Sequence, residues 1–189
     1  EYKFSVLFGF STDTYDILGK VKHSGILKNT RMPELAEKIQ NNLKFFTGKF
    51  MQKYPMYSSK TVAGKSLFSY ARAGKKIKIP EHEVDVESLK FFGIKKISAK
   101  KLLENIERRI TKVKGDFRQK EILKIWHKNL SVQPSGLHRG FFVADFNIKC
   151  GSGTYVRAIA NDLGEKMGIP SLALSIKRTK IGKWGKMSR

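Results

Sequence analysis

The chain has 189 residues, with 38 Lys or Arg against 16 Asp or Glu, so its formal net charge is +22. This excess is too large for an enzyme of neutral small molecules and favours a polyanionic partner, most simply nucleic acid. With 40% hydrophobic residues the chain can form a core, and no apolar run in it is long enough to span a membrane. The single cysteine, Cys150, excludes an internal disulfide and suits the reducing cytoplasm.

The first part of the sequence predicts a strand, a turn-rich segment and a helix. Residues 2–9 alternate apolar and polar side chains, which is typical of a strand. A polar segment around Asp13 and Asp16 follows, and both aspartates are expected to act as turn and hydrogen-bonding residues. Proline near the start predicts a helix over 33–46, which stops at Gly48.

Residues 49–79 are basic and aromatic by turns. Interleaved aromatic rings and cations supply stacking surfaces and phosphate contacts together, as binding of unpaired RNA requires. The part at 53–76 therefore predicts RNA contacts, and the five side chains expected to make them are Tyr57, Lys60, Lys65, Tyr70 and Arg72.

The second part of the sequence adds further strands and a helical region. Strands are predicted at 83–92, 141–149 and 172–179, and helix at 98–128 with a break near Gly115. Strands and helices interleave without regular βαβ alternation. The pattern predicts an α+β fold with a mixed, mainly antiparallel sheet and flanking helices.

Residues 150–168 carry the most informative local pattern, a pair of glycines around a serine that leads into a short amphipathic helix. Thr154 or Ser152 is expected to cap the start of this helix, and Gly168 is expected to end it in the left-handed region. Arg157 falls in the first turn, where the helix dipole disfavours a cation. Two interpretations stay open at this point: a solvated side chain, or a cation held by a carboxylate or a phosphate.

Three segments together resemble the TruB family, the tRNA pseudouridine-55 synthases. The first is Tyr2 followed by the sequence TDTYD at 12–16. The second is PMYSSKTVAGKSLFSYARAG at 55–74. The third is CGSGTYVRAIANDLGEKMG at 150–168, followed by Lys-Arg-Thr-x-x-Gly at 177–182. Each motif is weak alone, but all three occur in the family's order and approximate spacing.

The resemblance implies an isomerase that converts a T-arm uridine of tRNA to pseudouridine without a cofactor or a metal ion. An aspartate acts on the flipped nucleotide, and flipping makes the glycosidic bond accessible. By resemblance, Tyr2 stacks on the flipped base and Arg157 pairs with the catalytic aspartate. Ile176 stands where the family has a leucine against the target base, and Asp13 is expected at the same base pocket. The segment at 55–79 matches the flap that grips the T-loop.

Three departures from the family pattern are visible in the sequence. The motif Gly-x-Leu-Asp-Pro-x-Ala-x-Gly, which holds the family's nucleophile, is absent, and all six aspartates lie in other contexts. We therefore expect the nucleophile outside this chain and an inactive chain by itself, a single catalytic-type domain incomplete at its N-terminus. The block at 93–140 exceeds the expected link between strands and predicts an inserted basic helical hairpin. No C-terminal RNA-binding module is expected after Trp184.

Other functions fit part of the pattern. A non-catalytic protein of the same fold that binds tRNA would explain the charge and the aromatic-basic segment equally well. A basic ribosome-associated protein would explain the charge but not the order of the motifs.

The expected partner is the T-arm stem-loop of tRNA, bound by a monomer that does not associate with membranes.

Overall fold

The computed structural model describes residues 1–24, 30–115, 117–131 and 140–182, together with the backbone of 184 and 185. The strands are β1 Tyr2–Phe8, β2 Phe10–Thr12, β3 Val21–Ser24, β4 Gly48–Lys53, β5 Thr61–Val62, β6 Lys65–Ser66, β7 Glu81–Ile97, β8 Phe141–Cys150, β9 Ser171–Arg178, β10 Lys180–Ile181 and β11 Trp184–Gly185. The α-helices are α1 Met32–Asn42, α2 Leu67–Arg72, α3 Ala99–Ile110, α4 Gln119–Ser131 and α5 Val156–Met167, and a 3₁₀ turn at Leu43–Phe46 follows α1.

The centre of the fold is a five-stranded sheet in the order β4-β7-β8-β1-β9, and all its neighbouring strands are antiparallel. A parallel bridge joins Asp16, in the loop after β2, to Ala173 of β9. The α+β fold with a mainly antiparallel sheet and flanking helices is thus confirmed.

Helices cover both faces of this sheet. On one face, Phe4, Val6 and Phe8 of β1 share a core with α1 and α5. On the other face, Leu7 shares a second core with α3 and α4. Because side chains alternate along a strand, adjacent residues of β1 contribute to the two opposite cores.

The segment at 93–140 contains the two helices that the sequence predicts. Ser98 caps α3 by accepting a hydrogen bond from Lys101 N at 3.3 Å, and the break between the helices lies near Gly115. The apolar faces of α3 and α4 form one side of the second core. We refer to α3, α4 and the turn between them as the helical hairpin. In the part of the chain that the structure describes, no helix is long and apolar enough to span a membrane.

Several strands differ from the expectation. The short strands β2, β3, β5, β6, β10 and β11 were not predicted, and β4 and β7 differ as well. β4 lies at the start of the basic and aromatic segment, where no strand was predicted; Gln52 is its one buried side chain, so the strand lacks an apolar alternation. β7 extends beyond the predicted 83–92, and register shifts interrupt its pairing with β8 at Val86/Ser88 and Phe91/Gly93. A bulge inserts an extra residue and so shifts the alternation that marks a strand in sequence.

Candidate active site

The first turn of α5 is positioned by the sheet and not by a side-chain cap. The expected cap by Thr154 or Ser152 is wrong, because the N-cap residue is Tyr155 and no side chain caps it. Thr154 Oγ1 instead donates to the Gly151 carbonyl at 3.0 Å. The buried Gln52 of β4 binds both backbone groups of Tyr155, at 2.9 Å to its N–H and 3.2 Å to its carbonyl. Sequence reasoning missed Gln52, because the strand that carries it has no apolar pattern.

Arg157 is held by two partners that are distant in sequence. Its Nη1 lies 3.3 Å from Asp16 Oδ2, and its Nη2 donates to the Tyr57 carbonyl at 2.6 Å. The two charged side chains are 23% and 19% exposed, so this ion pair is largely shielded from solvent. Of the two interpretations of Arg157, the structure supports the cation held by a carboxylate. The carboxylate is Asp16, to which the sequence assigned only a turn role.

The loop between β2 and β3 fixes the Asp16 carboxylate. Thr14 Oγ1 donates to Asp16 Oδ1 at 2.6 Å, and Leu18 N donates to the same oxygen at 3.0 Å. Thr12 Oγ1 donates to the Asp16 carbonyl at 2.6 Å. The turn role expected for Asp16 is therefore present as well, since Oδ1 organises the loop while Oδ2 faces Arg157.

A pocket of about 320 Å³ opens beside this ion pair. Its lining combines the Asp16 loop and Arg157 with Tyr57, with the helix α2 residues Phe68 and Arg72, and with the turn of the helical hairpin. The pKa of the Tyr57 phenol is raised, mainly by burial and further by the negative charge of Asp13. The pocket wall thus presents a neutral phenol between cationic groups.

Asp13, which was expected at the base pocket, does not line the pocket that contains Arg157, and both of its carboxylate oxygens have other partners. Its Oδ1 accepts a hydrogen bond from Lys20 N at 2.7 Å, which closes the loop. Its Oδ2 lies 3.3 Å from Nη1 of Arg118, in the turn of the helical hairpin. The sequence analysis did not single out Arg118, because nothing in its local pattern distinguishes it from the other cations of the hairpin.

Tyr2 and Ile176 lie on neighbouring strands of the sheet. In the β1–β9 register Tyr2 is opposite Arg178 and Phe4 is opposite Ile176, so Tyr2 and Ile176 are diagonal neighbours. Arg178 Nε donates to Tyr2 Oη at 2.9 Å, and its guanidinium lies 5.0 Å from the centre of the Tyr2 ring. Ile176 is 40% exposed. Neither residue lines the pocket that contains Arg157, so the structure divides the predicted site into two parts.

The five predicted RNA-contact residues divide between the pocket and its surroundings. Tyr57 and Arg72 line the pocket. Lys60 Nζ lies 5.2 Å from the centre of the Tyr54 ring, and Tyr70 Oη donates to the Val62 carbonyl at 3.1 Å. Lys65 is exposed on the short strand β6. Among the described residues, no cluster of three or more His, Cys, Asp or Glu side chains could hold a metal ion.

Comparison with models of protein families identifies the family of this chain. The model of the TruB family pseudouridylate synthases (N-terminal domain) matches residues 1–115. The chain belongs to the TruB family. It is 33% identical over 181 residues to tRNA pseudouridine synthase B of Lactobacillus acidophilus, covering 94% of this chain and 46% of that protein. It is 32% identical over 181 residues to the protein of the same name from Ligilactobacillus salivarius, covering 96% of this chain and 46% of that protein.

These relatives extend beyond the matched part. The chain spans about half the length of the curated relatives that it matches, since the alignments cover 46% of each of these two proteins. The alignments cover 94–96% of this chain. Membership in the family is therefore established, whereas the activity of the whole protein is a matter for proposal.

Proposed function

We propose that this chain forms the catalytic part of a tRNA pseudouridine synthase that isomerises uridine 55 in the T-arm of tRNA. One observation carries the proposal: in a member of the TruB family, the Arg157 guanidinium is fixed by Asp16 and by the Tyr57 carbonyl at the wall of a pocket. A guanidinium that is fixed in this way can hold a carboxylate ionised and oriented.

The reaction is an isomerisation that balances without a co-reactant. The bond between N1 of uracil and C1′ of ribose breaks, and a bond between C5 and C1′ forms. The proton on C5 is released, and N1 gains a proton in exchange. A stacked base cannot present these atoms to a side chain, so the uridine has to turn out of the loop into a pocket.

The contacts of Asp16 suggest a positioning role for this residue. Its Oδ1 already accepts hydrogen bonds from Thr14 and Leu18, and its Oδ2 faces Arg157. A carboxylate with both oxygens engaged is a poor nucleophile, and Asp16 therefore orients Arg157 toward a second carboxylate. We propose that this second carboxylate is the aspartate of a Leu-Asp-Pro segment, which does not occur in the 189 residues.

The remaining predicted residues take their roles around that centre. Tyr2 stacks on the flipped base and Ile176 packs against it, next to Tyr2 on the sheet. The segment at 55–79 grips the T-loop through its exposed cations. The proposed protein acts as a monomer in the cytoplasm.

The test uses the protein expressed from its complete reading frame and tRNA labelled with tritium at C5 of uridine. Pseudouridine formation releases this tritium to water. The wild-type protein should release it, and Arg157→Ala should lower kcat by about 100- to 1,000-fold because an oriented charge partner is lost. Its Kd for tRNA should change less than about threefold, since the pocket and the surrounding cations remain.

The matched control is Arg31→Ala, which removes a cation that is 80% exposed and does not line the pocket. Its kcat should equal that of the wild-type protein. If the wild-type protein binds tRNA but releases no tritium, the non-catalytic tRNA-binding function replaces the proposed one.

A further inference from the structure

The turn of the helical hairpin reaches the pocket that contains Arg157. Phe117 and Arg118, which lie between α3 and α4, line this pocket together with Asp16 and Tyr57. We propose that this turn is part of the RNA-binding surface and that Phe117 stacks on an unpaired nucleotide of the substrate RNA. The inference rests on the proposed function for the identity of the RNA.

Arg118 attaches the turn to the wall of the pocket. Its Nη1 lies 3.3 Å from Asp13 Oδ2 and 3.2 Å from Tyr57 Oη. Its guanidinium also stacks on the Tyr57 ring, 5.0 Å from the ring centre. The side chains of Arg118 and Asp13 are 30% and 14% exposed. These contacts place the hairpin turn directly beside two residues of the predicted site.

The backbone of the turn is held in an unusual conformation. Arg118 has φ +63°, in the left-handed region that a residue with a side chain rarely occupies. The Gln119 side chain fixes the turn by accepting from Phe117 N at 2.8 Å and by donating to the carbonyls of Val113 and Gly115. Strained residues persist where surrounding contacts fix them, and they concentrate at functional sites.

The helices behind the turn are anchored to the loop that carries Asp16. Trp126 Nε1 donates to the Ile17 carbonyl at 3.2 Å in the protein interior. Lys20 and Glu121 form an ion pair of 2.6 Å at the surface. The hairpin therefore presents its turn from a rigid support, which reduces the entropy lost when a ligand binds.

The chemistry of the turn fits an unpaired nucleotide. Phe117 is 48% exposed and Phe68, on another wall of the same pocket, is 38% exposed. The Arg72 guanidinium lies 4.9 Å from the centre of the Phe68 ring, and the Phe117 ring shares the pocket lining with Arg118 and Arg157. Exposed aromatic rings next to cations are the elements that bind unpaired bases and their phosphates.

The test compares the wild-type protein, Phe117→Ala and Phe45→Ala, each expressed from the complete reading frame. Phe45 is also 48% exposed but does not line the pocket, so it controls for the loss of a surface ring. Binding of a fluorescently labelled T-arm stem-loop is measured by anisotropy. Phe117→Ala should raise Kd by about 5- to 100-fold, the effect of losing one base-stacking contact. Phe45→Ala should leave Kd within about twofold.

A second variant separates stacking from misfolding. Phe117→Trp keeps a stacking ring and should bind at least as tightly as the wild-type protein. Equal Kd values for Phe117→Ala and Phe45→Ala, with thermal melting unchanged in both, would overturn the inference. So would a wild-type protein that binds no RNA, in which case the turn serves a protein contact or none. Tritium release by the wild-type protein is scored separately, so a failure of the proposed catalysis is distinguishable from a failure of this inference.

Discussion

At Asp162 in α5, burial opposes ionisation of a carboxyl group. Burial raises its pKa from 3.8 to about 6; a hydrogen bond from Asn161 lowers it, the charge of Glu165 raises it, and Lys53 lowers it slightly. The Asn161 Nδ2 donates to Asp162 Oδ1 at 3.2 Å. Because the folded protein holds this proton more tightly than the unfolded chain, Asp162 stabilises the fold below about pH 4. That contribution is lost as the pH rises through about 6.

The substitution Asp162→Asn removes this titration. Between pH 4 and pH 7, the free energy of unfolding of the wild-type protein should fall relative to that of the variant, by at most about 3 kcal/mol. Urea unfolding of both proteins at the two pH values measures the difference, and all other titrating groups cancel in the comparison. Parallel pH dependence of the two proteins would mean that Asp162 has an ordinary pKa in the fold.

Other residues differ in how far the sequence predicted them. Gly168 ends α5 with φ +69°, as expected for a glycine that follows the last turn of a helix. The partner of Arg157 was not predictable, because Asp16 lies 141 residues away and occurs in a motif that also explains it as a turn residue. The residues next to a position in sequence indicate its backbone conformation. They do not indicate which charged side chain from a distant segment will pair with it.

At the scale of elements, the helical hairpin is the structure that most affects the site. Its buried side chains form much of the second core, including Leu102, Ile106, Ile110, Ile122 and Trp126. The Trp126 ring packs edge-on against Phe10, with ring centres 5.1 Å apart. The hairpin therefore connects the core of the sheet to the loop that holds Asp13 and Asp16.

The substitution Trp126→Phe tests this connection. It leaves the Ile17 carbonyl without its donor and creates a cavity, so it should lower the free energy of unfolding by about 1–3 kcal/mol. His127→Ala is the control, because His127 is the next residue and its side chain is 51% exposed. The control should change the free energy of unfolding by less than about 0.5 kcal/mol. Equal effects of the two substitutions, measured by urea unfolding, would show that the indole bond contributes nothing.

The elements were predictable where their hydrophobic period is intact. The helices α3 and α4 repeat apolar residues at helical spacing, and β8 is an almost continuous apolar run. β4 was missed because it pairs with one neighbour at the sheet edge and buries only Gln52. An edge strand can be specified by backbone hydrogen bonds that leave no periodic mark in the side chains.

At the scale of the whole molecule, the net charge of +22 should govern the proposed association with RNA. Each phosphate that a cation neutralises releases counterions, so the logarithm of the binding constant falls linearly with the logarithm of salt concentration. We expect the affinity for tRNA to fall by at least about 100-fold between about 50 and 200 mM salt, which requires several phosphate contacts.

Two lysine variants locate these contacts. Lys60→Ala removes a cation of the 55–79 segment and should reduce the slope of the salt dependence by about one phosphate contact. Lys100→Ala removes an exposed cation at the start of α3, away from the hairpin turn, and should leave the slope unchanged. Anisotropy titrations at four salt concentrations give both slopes. A reduced slope for Lys100→Ala would extend the RNA-binding surface along the whole hairpin.

The sequence by itself determined the fold class, the main helices, the order of the three motifs and the preference for a polyanion, because composition and short-range periodicity are properties of the chain. Only the tertiary structure decided that Asp16 and the Tyr57 carbonyl hold Arg157. It also decided that the turn of the helical hairpin stands at the same pocket. The physical reason is that these contacts join segments far apart in sequence, which short-range patterns do not relate and which only the folded chain brings together.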